Sequence, residues 1–96
     1  IDATFDFPMD IELGPDGRLY VADRNNHAIR AIDLTTGLIE TVAGDGTRCD
    51  ISKGACPDRL PAREVQLYEP YGIAFDAAGH LYVADTHNHR ILKVAQ

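Results

Sequence analysis

The chain has 96 residues, of which 45% are hydrophobic and 25% are charged, the usual balance of a soluble globular protein. Its formal net charge of −6, without a Lys/Arg cluster, argues against nucleic acid as a partner, because binding to phosphates requires clustered positive charge. No apolar run approaches the roughly 20 residues that cross a bilayer, so membrane insertion is not expected. No basic and then apolar signal segment opens the chain, which fits a mature protein or a cut fragment.

The first part of the chain predicts an antiparallel meander of four short strands. A lead-in loop carries Phe5 as an apolar anchor, and Pro8 precedes the first strand because proline has no N–H to donate. Polar turns such as Gly14-Pro15-Asp16-Gly17 separate runs of β-favouring residues. The predicted strands are 9–13, 19–22, 28–33 and 38–43.

The second part predicts a long loop and then three further strands. Residues 44–62 carry Gly, Pro and both cysteines and read as an ordered loop, and 62–67 fit one helical turn. The strands that follow are predicted at 71–75, 81–84 and 90–95. No counterpart of the first unit's fourth strand follows, so the last strand is expected to have an open edge that favours a partner.

Two segments with nearly the same sequence show that the chain is a repeat. LYVADRNNHA at 19–28 returns as LYVADTHNHR at 81–90, a shift of 62 residues. The prolines before the first strands and the apolar anchors match at the same shift. Such internal repetition is typical of repeat proteins.

The repeated segments resemble those of a known family. PYGIAFD, a turn and then GHLYVADTHNHRI are similar to the NHL repeat, and TTGLIETVAGDGT at 35–47 resembles the blade ends of bacterial extracellular members. The asparagine and histidine of the family's name are present in both copies, but the leucine that completes the name is replaced by Ala28 in the first copy and by Arg90 in the second.

The resemblance implies an all-β protein made of β-propeller blades, each a four-stranded antiparallel meander. The chain would hold about two NHL-type blades, the second without its outer strand. Its expected divisions are a first blade with its lead-in loop at 1–43, an inter-blade loop at 44–66 and a second blade at 67–96. Propellers have about four to eight blades. The chain is therefore expected to be a propeller fragment or to self-associate, with three copies giving a six-bladed ring.

The turn after the repeated strand carries a polar cluster in both copies. Repetition favours a structural role, in which Asp and Asn bond to nearby backbone amides and His ties the turn to a neighbouring strand. Metal binding by His27, His87 and His89 is not expected, because no Cys or carboxylate completes an evident set. The residues of this blade motif are Asp23, Asn26, His27, Asp85, Asn88, His89 and Arg90.

Asp10 and Glu12 are the candidate ligand-binding residues. They occupy the positions of Gly72 and Ala74 in the second copy, so they are not required by the repeat. Because they lie on the innermost strand, their side chains are expected to face a channel or a neighbouring blade.

Cys49 and Cys56 are predicted to form a disulfide that closes a small loop. In the chain-entropy model such a loop contributes about 2–3 kcal/mol at best. A disulfide indicates an oxidising compartment, so a secreted or periplasmic protein, in line with the bacterial resemblance, is expected. The alternative is two unrelated thiols in a cytosolic protein.

The sequence contains no visible catalytic constellation. Ser52, the sole serine, carries no nucleophile-elbow motif, and no Gly-rich phosphate loop joins a strand to a helix. The favoured hypothesis is a non-catalytic binding or scaffold module, with a protein or carbohydrate ligand and no cofactor. The alternatives are part of a metal-dependent propeller lyase or hydrolase, although the ligands of the amidating lyases match no motif here, and a chain made to study how blades assemble.

Overall fold

The computed structural model describes residues 5, 8–54 and 62–94. The predicted antiparallel meanders are confirmed. Within these described ranges, seven strands form two sheets, one in the order β1-β2-β3-β4 and the other in the order β5-β6-β7. All pairings within both sheets are antiparallel. The strands are β1 (Pro8–Leu13), β2 (Leu19–Asp23), β3 (Ala28–Ile32), β4 (Ile39–Ala43), β5 (Gly72–Phe75), β6 (Leu81–Asp85) and β7 (Arg90–Val94).

The repeated LYVAD segments are β2 and β6, which lie inside their sheets. Val21 pairs with Ile11 on one side and Arg30 on the other. Apolar and β-branched residues suit such a strand because both of its faces are covered by protein. Each repeat therefore builds a blade around the same central strand.

The polar turns after β2 and β6 are short 3-10 helices rather than simple turns. They span Arg24–Asn26 and Thr86–Asn88, and each is followed by a histidine with a left-handed φ of 53°. A third 3-10 turn, Ala62–Glu64, lies where the single helical turn was predicted. In the described part of the chain, no helix is long and apolar enough to cross a membrane.

The hydrophobic core lies between the two sheets. Tyr20 of β2 is fully buried and its ring meets the Phe75 ring edge to face, with centroids 4.8 Å apart. The predicted anchor Leu67 is only 1% exposed, whereas its counterpart Phe5 is partly buried under the Arg30 guanidinium. The cluster joins both blades and consists of Tyr20, Ala22, Ile29, Ala31, Ala43, Val65, Leu67, Ile73, Leu81, Val83 and Val94.

Candidate functional site

A buried carboxylate ends the central strand of each blade. Asp85 is fully buried, and its Oδ1 accepts the backbone N–H of Tyr68 at 2.7 Å. Its Oδ2 accepts bonds from Asn88 Nδ2 at 3.0 Å and from Arg90 Nε at 2.7 Å. A buried charge is tolerated when it is paired and fully hydrogen-bonded, as here.

The first blade makes the same arrangement with a different arginine. Asp23 Oδ2 accepts bonds from Asn26 Nδ2 at 2.9 Å and from Arg30 Nη1 at 3.4 Å. Position 28, the counterpart of Arg90, holds alanine, and Arg30 lies two residues further on. The sequence analysis did not assign Arg30 to the blade motif. Its spacing could have done so, because residues 28 and 30 lie on the same face of a strand.

The side chains of the blade motif bond to residues that lie farther away in the sequence than the predicted turn bonds would reach. Neither Asp23 nor Asp85 caps its own 3-10 turn through its side chain. Instead, Asn88 Nδ2 donates to the carbonyl of Cys49 at 2.7 Å, and Arg90 Nη2 donates to the carbonyl of Gln66 at 3.0 Å. The motif therefore fixes the lead-in segment of blade two and the loop before it.

His27 fastens blade one to blade two. Its Nδ1 accepts the backbone N–H of Glu69 at 3.0 Å, a bond that spans 42 residues of sequence. Burial lowers the pKa of His27, with the Arg48 cation acting in the same direction and nearby carboxylates opposing it. The neutral imidazole is thereby favoured, and only an unprotonated Nδ1 can accept this bond.

Aromatic and charged side chains gather around Glu69. Its carboxylate pairs with Arg24 Nη2 at 3.3 Å and with His87 Nε2. The Tyr68 ring stacks on His87 with centroids 4.6 Å apart, and Arg24 lies over the Tyr71 ring at 5.2 Å. We call these residues the junction cluster: Arg24, His27, Tyr68, Glu69, Tyr71 and His87.

The junction cluster reaches the surface and contains local backbone strain. Tyr71 is 38% exposed and the His87 side chain is 44% exposed. Glu69 has a φ of 50°, which non-glycine residues seldom adopt and which is often associated with functional sites. Exposed rings beside paired donors and acceptors form a surface suited to ligand binding.

Asp10 and Glu12 are not part of the junction cluster. Asp10 Oδ2 accepts the backbone N–H of Ile73 at 3.1 Å and so bridges β1 and β5. Glu12 is exposed on the same strand. Asp10 thus faces the neighbouring blade, one of the two locations expected for it.

Both the cysteine and the metal predictions stay predictions. Cys56 lies outside the described residues, so its disulfide to Cys49 stays a prediction, although no described cysteine is a free thiol. His27 and His87 both belong to the junction cluster, whereas His89 is exposed at the end of the 3-10 turn of blade two. Within the described part of the chain, no group of three or more His, Cys, Asp or Glu residues is placed to hold a metal ion.

Another group of hydrogen-bonded polar side chains, a polar triangle, lies around the start of the central strand in each blade. In blade two, Asp76 accepts bonds from the Tyr82 hydroxyl at 3.0 Å and from the His80 backbone N–H at 2.9 Å. The bond from the His80 N–H lowers the pKa of Asp76 to about 2, helped by side-chain bonds from His80 and Tyr82. Asp16, Arg18 and Tyr20 make the corresponding triangle in blade one.

The two sheets, each built on an LYVAD strand and packed face to face, define β-propeller blades. The model of the family described as "NHL repeat" matches residues 5–32 and 67–94. The chain belongs to the NHL repeat family.

Relatives of the chain are much larger proteins. The chain is 36% identical over 81 residues to Protein SUPPRESSOR OF QUENCHING 1, chloroplastic, of Arabidopsis thaliana, covering 84% of this chain and 7% of that protein. It is 38% identical over 74 residues to human NHL repeat-containing protein 2, covering 76% of this chain and 9% of that one. A crystal structure of an auxiliary nutrient binding protein from Bacteroides thetaiotaomicron matches with a TM-score of 0.73 and 26% identity, over 97% of this chain and 24% of that chain.

Proposed function

We propose that the chain is a non-catalytic binding module of an NHL propeller and that the junction cluster is its ligand-binding surface. The observation that carries this proposal is the exposed Tyr71 ring near the paired carboxylate of Glu69, a residue whose backbone has a left-handed φ. Loops positioned by a rigid scaffold are where binding residues concentrate. The structural similarity to a protein named as nutrient binding agrees with this function.

The ligand best suited to the junction cluster is a neutral sugar chain. Arg24 and Glu69 belong to the cluster and pair with each other, so their two charges compensate each other. Tyr71 and His87 offer ring faces for sugar C–H groups, and the paired polar groups offer partners for hydroxyls. A peptide is the second candidate ligand, since aromatic and arginine side chains also dominate protein interfaces.

A matched pair of variants tests the binding proposal. Binding of a panel of neutral oligosaccharides and of a peptide library is measured for the unchanged chain, Tyr71→Ser and Leu38→Ser. Leu38 is 72% exposed and lies in the turn between β3 and β4, away from the cluster. Tyr71→Ser should weaken binding at least about tenfold, and Leu38→Ser should not change it. Equal binding by both variants, or no binding by the unchanged chain, would refute the proposal.

The alternative function is part of a metal-dependent lyase or hydrolase. Asp10 and Glu12 on the innermost strand stay proposed ligand contacts, Glu12 being the exposed one. Elemental analysis of the purified protein separates the two functions. The binding-module proposal predicts no stoichiometric metal, and one metal ion per chain would favour the enzyme.

We also propose that the Cys49–Cys56 disulfide forms and that the protein is secreted or periplasmic. Support comes from the short spacing of the two cysteines and from the lack of a free thiol among the described residues. A thiol assay on the native protein should find no reactive group. Two reactive thiols would contradict both the disulfide and the compartment assignment.

A further inference from the structure

A pocket in the inter-blade loop lies beside the junction cluster, and the proposed function does not use it. Its volume is about 410 Å³, which lies in the range of small-molecule binding sites. All residues of its wall belong to the loop that joins the two blades. We call it the loop pocket, and its wall is formed by Arg48, Cys49, Asp50, Lys53, Gly54 and Gln66.

Arg48 connects the loop pocket to the junction cluster. Its guanidinium lies over the Tyr68 ring, 5.2 Å from the centroid, and its Nη1 donates to the Tyr68 hydroxyl at 3.4 Å. The same ring stacks on His87. Because Arg48 and His87 both contact this ring, a single oligosaccharide can reach both of them.

Backbone groups hold the wall of the loop pocket in place. The Cys49 N–H donates to the Leu67 carbonyl at 3.2 Å, and the Cys49 carbonyl accepts the bond from Asn88. Further along the wall, the Lys53 N–H donates to the Asp50 carbonyl at 2.9 Å. A preformed wall lowers the entropy cost of ordering residues around a ligand.

The charged side chains of the loop pocket are unequally paired. In the part of the chain that the structure describes, no carboxylate forms a salt bridge with Arg48 or Lys53. The carboxylate of the wall, Asp50, accepts bonds from the Ser52 hydroxyl at 2.6 Å and the Ser52 N–H at 3.0 Å. These bonds, the hydroxyl first, lower the pKa of Asp50, and Lys53 and Arg48 add to the effect. Two cations and one carboxylate leave the wall with a positive surplus, although the whole chain has a net charge of −6.

We propose that the loop pocket binds an acidic sugar residue of the chain that the junction cluster binds, with Arg48 as the residue that determines this specificity. Because Arg48 Nη1 is turned to the Tyr68 hydroxyl, Nε and Nη2 are the pair of donors that can hold a carboxylate through two parallel bonds. Lys53 supplies a second positive charge. The proposal rests on the proposed function and narrows it: the sugar chain is neutral where it meets the paired Arg24 and Glu69, and acidic at the loop pocket.

Isothermal titration calorimetry with a matched pair of oligosaccharides tests this specificity. One probe is the neutral oligosaccharide of the panel that binds most tightly, and the other is the same oligosaccharide with a terminal hydroxymethyl group oxidised to a carboxylate. The acidic probe should bind about threefold to tenfold more tightly at low salt, and the difference should shrink at high salt. Arg48→Gln should remove most of this difference and leave the affinity for the neutral probe within about twofold. Lys53→Gln should remove a smaller part of the difference.

Lys93→Gln is the matched control, because it removes one exposed positive charge on β7, outside the loop pocket, and should keep the full difference. An acidic probe that binds no more tightly than the neutral one overturns the acidic subsite and leaves the proposed function standing. So does a difference that Arg48→Gln retains, or that Lys93→Gln lowers as much as Arg48→Gln does. An oligoglutamate peptide that binds more tightly than the acidic probe also overturns the subsite, in favour of an acidic protein partner. Binding of neither oligosaccharide refutes both proposals.

Discussion

At the residue scale, His27 couples protonation to the packing of the two blades. Its Nδ1 accepts a backbone N–H from the other blade, and a protonated ring cannot do so. Glu69, Asp85 and Asp23 favour the protonated ring, whereas burial and the Arg48 cation oppose it, and burial is the largest effect on the pKa. The folded chain therefore binds this proton less readily than the unfolded chain.

The pKa shift of His27 predicts the pH dependence of stability. Because the folded-state pKa is lowered, the contribution of His27 is fully present above the ordinary pKa of 6.5 and is lost as the pH falls below it. Urea unfolding at pH 7.5, 6.5 and 5.5 measures this loss, with His27→Asn as the comparison. The variant should lose about 1–3 kcal/mol at the highest of these pH values and less at the lowest. An equal loss at all three values would contradict the coupling.

Replacing the buried carboxylate of Asp85 by an amide is predicted to lower the free energy of unfolding strongly. Asp85→Asn keeps the shape but removes the charge that compensates Arg90 and one acceptor that faces a backbone N–H. The loss should be about 3–5 kcal/mol in the free energy of unfolding. Asp33→Asn is the control, because asparagine can still accept the turn bonds from Thr35 and Thr36, and it should cost less than about 1 kcal/mol. Equal effects of the two variants would refute this account of the buried cluster.

At the element scale, the sequence predicted the strands better than the bonds between elements. The strands could be predicted because LYVAD and its flanking turns are local signals, and repetition confirmed them within the chain. The role of Asp85 was predicted to be local, yet its partner Tyr68 lies 17 residues away. Side chains that bond across the fold leave no periodic signal, so the target of His27 and the role of Arg30 required the structure.

The residue that follows β4, Gly44, is predicted to require glycine. Gly44 has a φ of 88°, and an added Cβ would lie 2.4 Å from the backbone oxygen of His27. Gly44→Ala should therefore lower the free energy of unfolding by more than about 1 kcal/mol, because both the backbone and the neighbour must move. Gly54→Ala is the matched control, since nothing lies within 4 Å of its Cβ position. Thermal unfolding measures the stability of both variants. Equal losses of stability would contradict the prediction that position 44 requires glycine.

At the scale of the whole molecule, the two blades form one packed body with two unequal outer sides. The core cluster includes residues of both sheets, and Asp10 and His27 add bonds from blade one to backbone N–H groups of blade two. The sequence predicted that two blades leave a propeller incomplete. It did not show that Ile11, Leu13 and His89 are exposed, because their exposure depends on the packing between the sheets.

Hydrogen exchange at the backbone amides of Glu69 and Ile73 tests the central claim that blade one holds blade two through side-chain acceptors. Both amides should exchange slowly at neutral pH, although in these contacts each donates to a side chain and not to the backbone of a neighbouring strand. His27→Asn should accelerate exchange at Glu69 and leave Ile73 slow, and Asp10→Ala should do the reverse. Exchange of both amides at the rate of exposed loop amides in the unchanged chain would contradict the claim.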